Sequence, residues 1–205
     1  MAYPTVSAPY GFKPVNLLGG QVFAGSTRQM AVATAHGTSI FYGDVVIMST
    51  NGCITGAVLT ASTINVAGVF LGCSYINSQS QRIYAQYLPS GTTGTVDALG
   101  GIIAYVADDP DLVMRCAVVS GTTVIAQAAR SSLVGGNVAL VANVGNTITG
   151  DSAQAILNAG AADSACPFKI IDVIPDTSPA SGSFVEVLVT WTQGVHMYRG
   201  PLGLA

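Results

Sequence analysis

Lysine and glutamate are nearly missing from this chain: Lys13, Lys169 and Glu186 are all it has, within seven basic and ten acidic residues among 205. A soluble domain normally draws about a quarter of its residues from Asp, Glu, Lys and Arg, and solvated helix faces are built mainly from Glu and Lys. Their scarcity argues against a helical fold. It also argues against a surface that faces water on every side.

Other absences narrow the function. The five Arg (28, 82, 115, 130 and 199) are scattered and the net charge is −3, so no basic stripe exists to neutralise phosphates, and nucleic acid is not an expected partner. Mean hydropathy is high at +0.53. The apolar runs are nevertheless short: residues 101–107 stop at Asp108-Asp109, and Gly68 breaks Val66 to Leu71. None approaches the roughly 20 residues of a spanning helix, and the regular ~10-residue segments with aromatic girdles of a membrane barrel are not visible. No membrane partner is expected. The first residues, MAYPTVSAPYGFKPV, lack the basic and apolar regions of a secretory signal. Cys53, Cys73, Cys116 and Cys166 form no C-x-x-C pair, which predicts buried, reduced thiols in a protein made in the cytoplasm.

What is abundant points to strands. Val, Ile and Thr number 56, and branching at Cβ suits them to a pleated surface. Gly, at 24, supplies the positive-φ positions that frequent tight turns need. Turn signals recur every 8–12 residues, the spacing of sandwiches and barrels. The expected fold is all-β, a short-stranded β-barrel or sandwich with extended N- and C-terminal arms. The expected organisation is an arm over 1–20, a β-barrel or sandwich domain over 21–130, a second β-rich lobe over 131–195 and a tail over 196–205.

Individual elements follow from local pattern. Residues 44–50 and 53–58 read as strands about a two-residue turn at Asn51-Gly52. Residues 66–75 read as a buried strand with Gly68 and Gly72 at bulges or close approaches. Residues 82–88 alternate, with Ile83, Ala85 and Tyr87 on one face and Arg82, Tyr84 and Gln86 on the other. Residues 102–107 and 112–119 read as strands joined by the turn Asp108-Asp109-Pro110-Asp111. Later strands are expected at 122–128, 138–144, 168–174 and 184–191, with an exposed loop at 175–182 between the last two. One short helix is expected within 147–158, capped by Asp151 or Ser152 and running through 153–157. Pro4, Pro9 and Pro14 keep the first twenty residues out of regular ladders, while Tyr3, Tyr10 and Phe12 give that segment apolar anchors.

Chemistry-bearing groups are few. His36 and His196 have no Asp or Ser partner suggested by spacing, and no G-x-S-x-G elbow or phosphate-binding glycine loop occurs. Asp108, Asp109 and Asp111 are the densest charge and a weak Ca²⁺ candidate, because hard cations take carboxylate oxygens. They lack the alternating spacing that wraps one ion, and Asp and Pro are ordinary turn residues. No catalytic residue, no cofactor and no enzyme activity is expected.

Five strings carry a resemblance: residues 8–15 (APYGFKPV), 41–46 (FYGDVV), 68–73 (GVFLGC), 105–111 (YVADDPD) and 171–176 (IDVIPD). From about residue 8 to 198 the chain resembles structural proteins of tailed bacteriophages, as in marine phages and cyanophages. The resemblance implies a β-tulip-like decoration-protein domain and a capsid decoration (cement) protein on the exterior of the virion. It further implies the major capsid protein as partner and self-association as a homotrimer. Tyr3, Tyr10, Phe12 and Tyr198 are the expected contacts with capsid or neighbouring subunit. The alternatives are a head fibre, tail or host-adsorption protein, or the major shell subunit itself.

Overall fold

Val, Ile and Leu at alternate positions need a face to bury against, and this chain supplies two. The computed structural model describes residues 6–33, 36–57, 66–93, 101–119, 133–157, 166–174 and 184–200. Tyr3, the strand expected at 122–128, the loop at 175–182 and the last five residues lie outside them. The fold is all-β, as the composition predicts. In order the strands are β1 (Lys13–Leu17), β2 (Arg28–Val32), β3 (Val45–Met48), β4 (Ile54–Gly56), β5 (Val66–Ile76), β6 (Arg82–Ala85), β7 (Ile102–Ala107), β8 (Leu112–Val119), β9 (Asn137–Val138), β10 (Leu140–Val141), β11 (Ala155–Leu157), β12 (Phe168–Val173) and β13 (Glu186–Trp191).

The first sheet runs β3-β4-β2-β7-β5-β6, and β3 also pairs with β5, so five strands close on themselves and β6 lies outside the ring. Closure removes open edges, and it requires strong bending of β5. Gly68 and Gly72 allow that bend. The β5–β7 register slips between Phe70 and Cys73. Gly68 has φ +151°, and a Cβ there would stand 2.2 Å from the Ala107 carbonyl oxygen. Met30, Ile40, Val46, Ile54, Phe70 and Val106 fill the ring.

The second sheet runs β10-β11-β8-β13-β12-β9, with β1 also paired to β8. Residues 13–17, expected within an arm, are therefore a strand in a sheet. The ladder shifts register between Pro14 and Asn16, as a residue without an N–H demands. The strands at 102–107 and 112–119 lie where expected, but β7 belongs to the barrel and β8 to the second sheet. The chain thus changes lobe at the acidic turn 108–111, well before residue 130. A single apolar cluster joins Val45, Val66 and Ala107 of the barrel to Phe12, Leu112 and Phe168 of the second lobe. The lobes share a core.

Two local expectations need correction. Residues 155–157 are not helical: β11 pairs with β8 in parallel and with β10 antiparallel. The Ser152 hydroxyl, expected as a helix cap, bonds Asp44 instead. At Asn51-Gly52 the loop is one residue longer than expected. Ser49 N–H donates to Cys53 O at 2.8 Å and Gly52 N–H to Ser49 O at 3.0 Å, a three-residue hairpin with Gly52 at φ 76°.

Candidate functional site

The chain's one glutamate, Glu186, starts β13 and is 3% exposed. A buried carboxylate must be paired and hydrogen-bonded. Arg115 of β8 brings its Nε to 3.4 Å, and the Tyr10 hydroxyl donates to Glu186 Oε1. Over the Tyr10 ring stand Lys13 Nζ at 4.7 Å and the Arg115 guanidinium at 5.8 Å. Burial first, and the bond to Glu186 second, push the Tyr10 phenol well above its ordinary range. Tyr10 is half-buried and partnered within its own chain. Phe12 is fully buried and stacks on Phe168 with centroids 4.6 Å apart, so its ring belongs to the chain's own core rather than to a contact surface.

Tyr198 lies at the junction of the lobes. Its hydroxyl donates to Asp108 Oδ2 at 3.0 Å, and Arg28 of β2 sits 5.2 Å from its ring centroid. Arg28 also pairs with Asp108 at 2.6 Å, and Arg199 pairs with Asp111 at 2.8 Å. Asp109 accepts the Asp111 N–H on its carboxylate, and its carbonyl takes the Trp191 indole N–H at 3.3 Å. The carboxylates of the weak Ca²⁺ candidate are thus directed to two arginines, a tyrosine and a turn amide. Among the described residues no three His, Cys, Asp or Glu side chains form a metal-holding group.

Among the described residues neither histidine hydrogen-bonds a carboxylate or hydroxyl. His36, between β2 and β3, is buried, and burial lowers its pKa against the opposing pull of the Ala33 and Leu88 backbone. His196 is 1% exposed, and burial lowers its pKa too. Its Nδ1 accepts the Tyr198 backbone N–H at 3.3 Å.

A buried polar network went unread in the sequence. Asp44 accepts the Phe41 N–H at 2.8 Å and the Ser152 hydroxyl at 2.6 Å, while Gln154 Oε1 accepts the Val45 N–H at 2.9 Å. It fastens the start of β3 to the segment before β11. Burial raises the Asp44 pKa against the pull of both hydrogen bonds. The only sequence signal was Asp44 itself, a carboxylate inside an apolar string.

Large apolar side chains stand out on ordered backbone. Val144 is 87% exposed and Ile148 93%. Their loop is built around Asn146, whose N–H donates to Asp151 O, whose carbonyl accepts the Gly150 N–H, and whose side chain accepts the Ile148 N–H at 2.8 Å. Beside it, residues 7–10 and 144–153 flank a groove of about 530 Å³. Val22 and Tyr84 are 74% and 71% exposed. The chain matches no protein-family model, no curated protein and no solved structure.

Proposed function

We propose that the chain is a non-enzymatic structural protein of a phage particle, a capsid decoration (cement) protein that binds the outer surface of the major capsid shell and associates as a homotrimer. The observation that carries the assembly reading is the presentation of Val144 and Ile148 on a hydrogen-bonded loop. Two aliphatic side chains in water contribute nothing to the fold that holds them. Backbone already ordered before contact lowers the entropy cost of binding, so such a pair suits docking. The charge pattern supports the same reading: Arg28, Arg115 and Arg199 are each paired to a carboxylate of their own chain. That leaves a surface poor in the free Lys and Glu that interfaces exclude from their centres.

The placement on a phage shell rests on the five strings that resemble phage structural proteins. A cement protein acts by repetition: many copies, each with modest contacts, gain from effective concentration once linked. The test is stoichiometry in purified particles, by quantitative mass spectrometry with cryo-electron microscopy. A copy number comparable to that of the shell subunit is expected, with density outside the shell. A handful of copies would overturn the proposal in favour of a fibre, tail or adsorption protein.

A further inference from the structure

Residues 195–199 form a strap. After β13 the chain crosses from the second lobe to the barrel and lies along the start of β5. Val66 N–H donates to Val195 O at 3.1 Å, and Met197 N–H donates to Val66 O at 2.9 Å. Tyr198 and Arg199 then fasten the strap to Asp108 and Asp111 in the turn that joins the lobes. The strap and that turn are two crossings at one junction.

His196 is the strap's buried centre. Its ring lies between Trp191, with centroids 5.8 Å apart, and Tyr198, at 5.3 Å. Nδ1 accepts the Tyr198 N–H, so the ring is held neutral with its proton on Nε2. Among the described residues Nε2 is buried with no partner in ideal hydrogen-bonding geometry, although the Ala67 backbone of β5 favours a proton on the ring. A second proton would have to go on Nδ1. There it would turn an acceptor into a donor aimed at another N–H, and it would place a charge on a ring that is 1% exposed.

We propose that His196 is a proton-operated latch: neutral, it holds strap 195–199 across both lobes, and protonated, it releases the strap from β5. Among the described residues three charged groups act on the ring. Asp108 and Asp109 of the turn favour the proton and Arg199 of the strap opposes it, while Arg28 of β2 reaches the site only through Tyr198 and Asp108. Burial outweighs the two carboxylates, so release falls below the ordinary histidine value of 6.5. This inference is independent of the assembly reading.

Trp191 is the chain's only tryptophan, and a protonated imidazole at this range quenches indole emission. Emission of the full-length protein should fall reversibly between pH 7 and 4.5, and His196→Gln, which cannot protonate, should stay flat. His36→Gln should behave as wild type. The Met197 amide reports the strap itself: its hydrogen-exchange protection should fall by up to about tenfold per pH unit across the same window. An unchanged emission transition in His196→Gln would overturn the latch. So would quenching with no loss of Met197 protection, because His196 would then titrate in place. If His196→Gln does not fold, NMR titration of the His196 ring in the wild type replaces it. Its midpoint must coincide with that of Met197 exchange.

Discussion

The Tyr10 hydroxyl donates a hydrogen bond to the carboxylate of Glu186, 176 residues further along the chain. That one contact fastens the segment before β1 to the start of β13, and Arg115 between them completes a three-residue group. The same economy of charge recurs at Arg28–Asp108 and Arg199–Asp111. Most of these pairs join elements distant in sequence. In a chain with so few ionisable groups, charge serves mainly to tie one lobe or segment to another.

Tyr10→Phe should therefore destabilise the protein although a ring of nearly the same size remains. The change removes the hydroxyl that donates to the buried Glu186 carboxylate while the Arg115 pairing stays, at a cost of about 1–3 kcal/mol. Chemical denaturation with an unchanged m-value should report it. Adding Glu186→Gln to Tyr10→Phe should cost less than the two single losses together, because both act on one group.

A pH effect follows from Asp44. Its folded pKa is raised above the ordinary 3.8, chiefly by burial, so the folded state takes up its proton before the unfolded state does. Between those two values stability contributed by this group increases as pH falls, and above the folded pKa the buried charge is a standing cost. Wild type should gain stability relative to Asp44→Asn as pH is lowered toward 4. Parallel stability–pH curves for the two proteins would contradict this.

Gly68 should tolerate no side chain. A Cβ would lie 2.2 Å from the Ala107 carbonyl oxygen, and φ is +151°. Gly68→Ala should cost roughly 3 kcal/mol or more, from backbone strain and collision together. Gly52→Ala, also at positive φ but with open space around it, should cost only about 1–2 kcal/mol. Melting temperatures of the two variants should differ in that order.

These residues show what was legible in the sequence. Residues 102–107 and 112–119 were bounded correctly because the turn 108–111 ends one apolar run and starts the next. The alternation over 82–87 also held, with Arg82, Tyr84 and Gln86 exposed and the residues between them half-buried. Which sheet each strand joins was not legible, since β1 pairs with β8 across 95–102 residues of chain and β8 with β13 across 69–75. A short Ala-Ile-Leu run does not declare its period, so β11 read as a helix until its pairing with β8 decided it. Tyr10 and Phe12 looked alike as aromatic anchors. One holds a buried carboxylate and the other fills the core, and no local signal separates a ring that packs on its own chain from one that packs on a neighbour.

The exposed pair Val144 and Ile148 gives the sharpest test of the assembly proposal at the residue level. Both side chains are almost wholly in water, so Val144→Ser with Ile148→Ser should leave unfolding free energy within about 0.5 kcal/mol of wild type. The loop should keep its shape, because Asn146, Gly150 and Asp151 supply its hydrogen bonds and the substituted residues donate only one of them, through the backbone. Binding should respond differently. Each aliphatic side chain buried at an interface contributes about 1.5–3 kcal/mol, so the double variant should bind shells stripped of the wild-type protein at least tenfold more weakly. Co-sedimentation of shells with wild type and variant in competition measures that ratio directly. Equal occupancy of the two would remove Val144 and Ile148 from the contact surface.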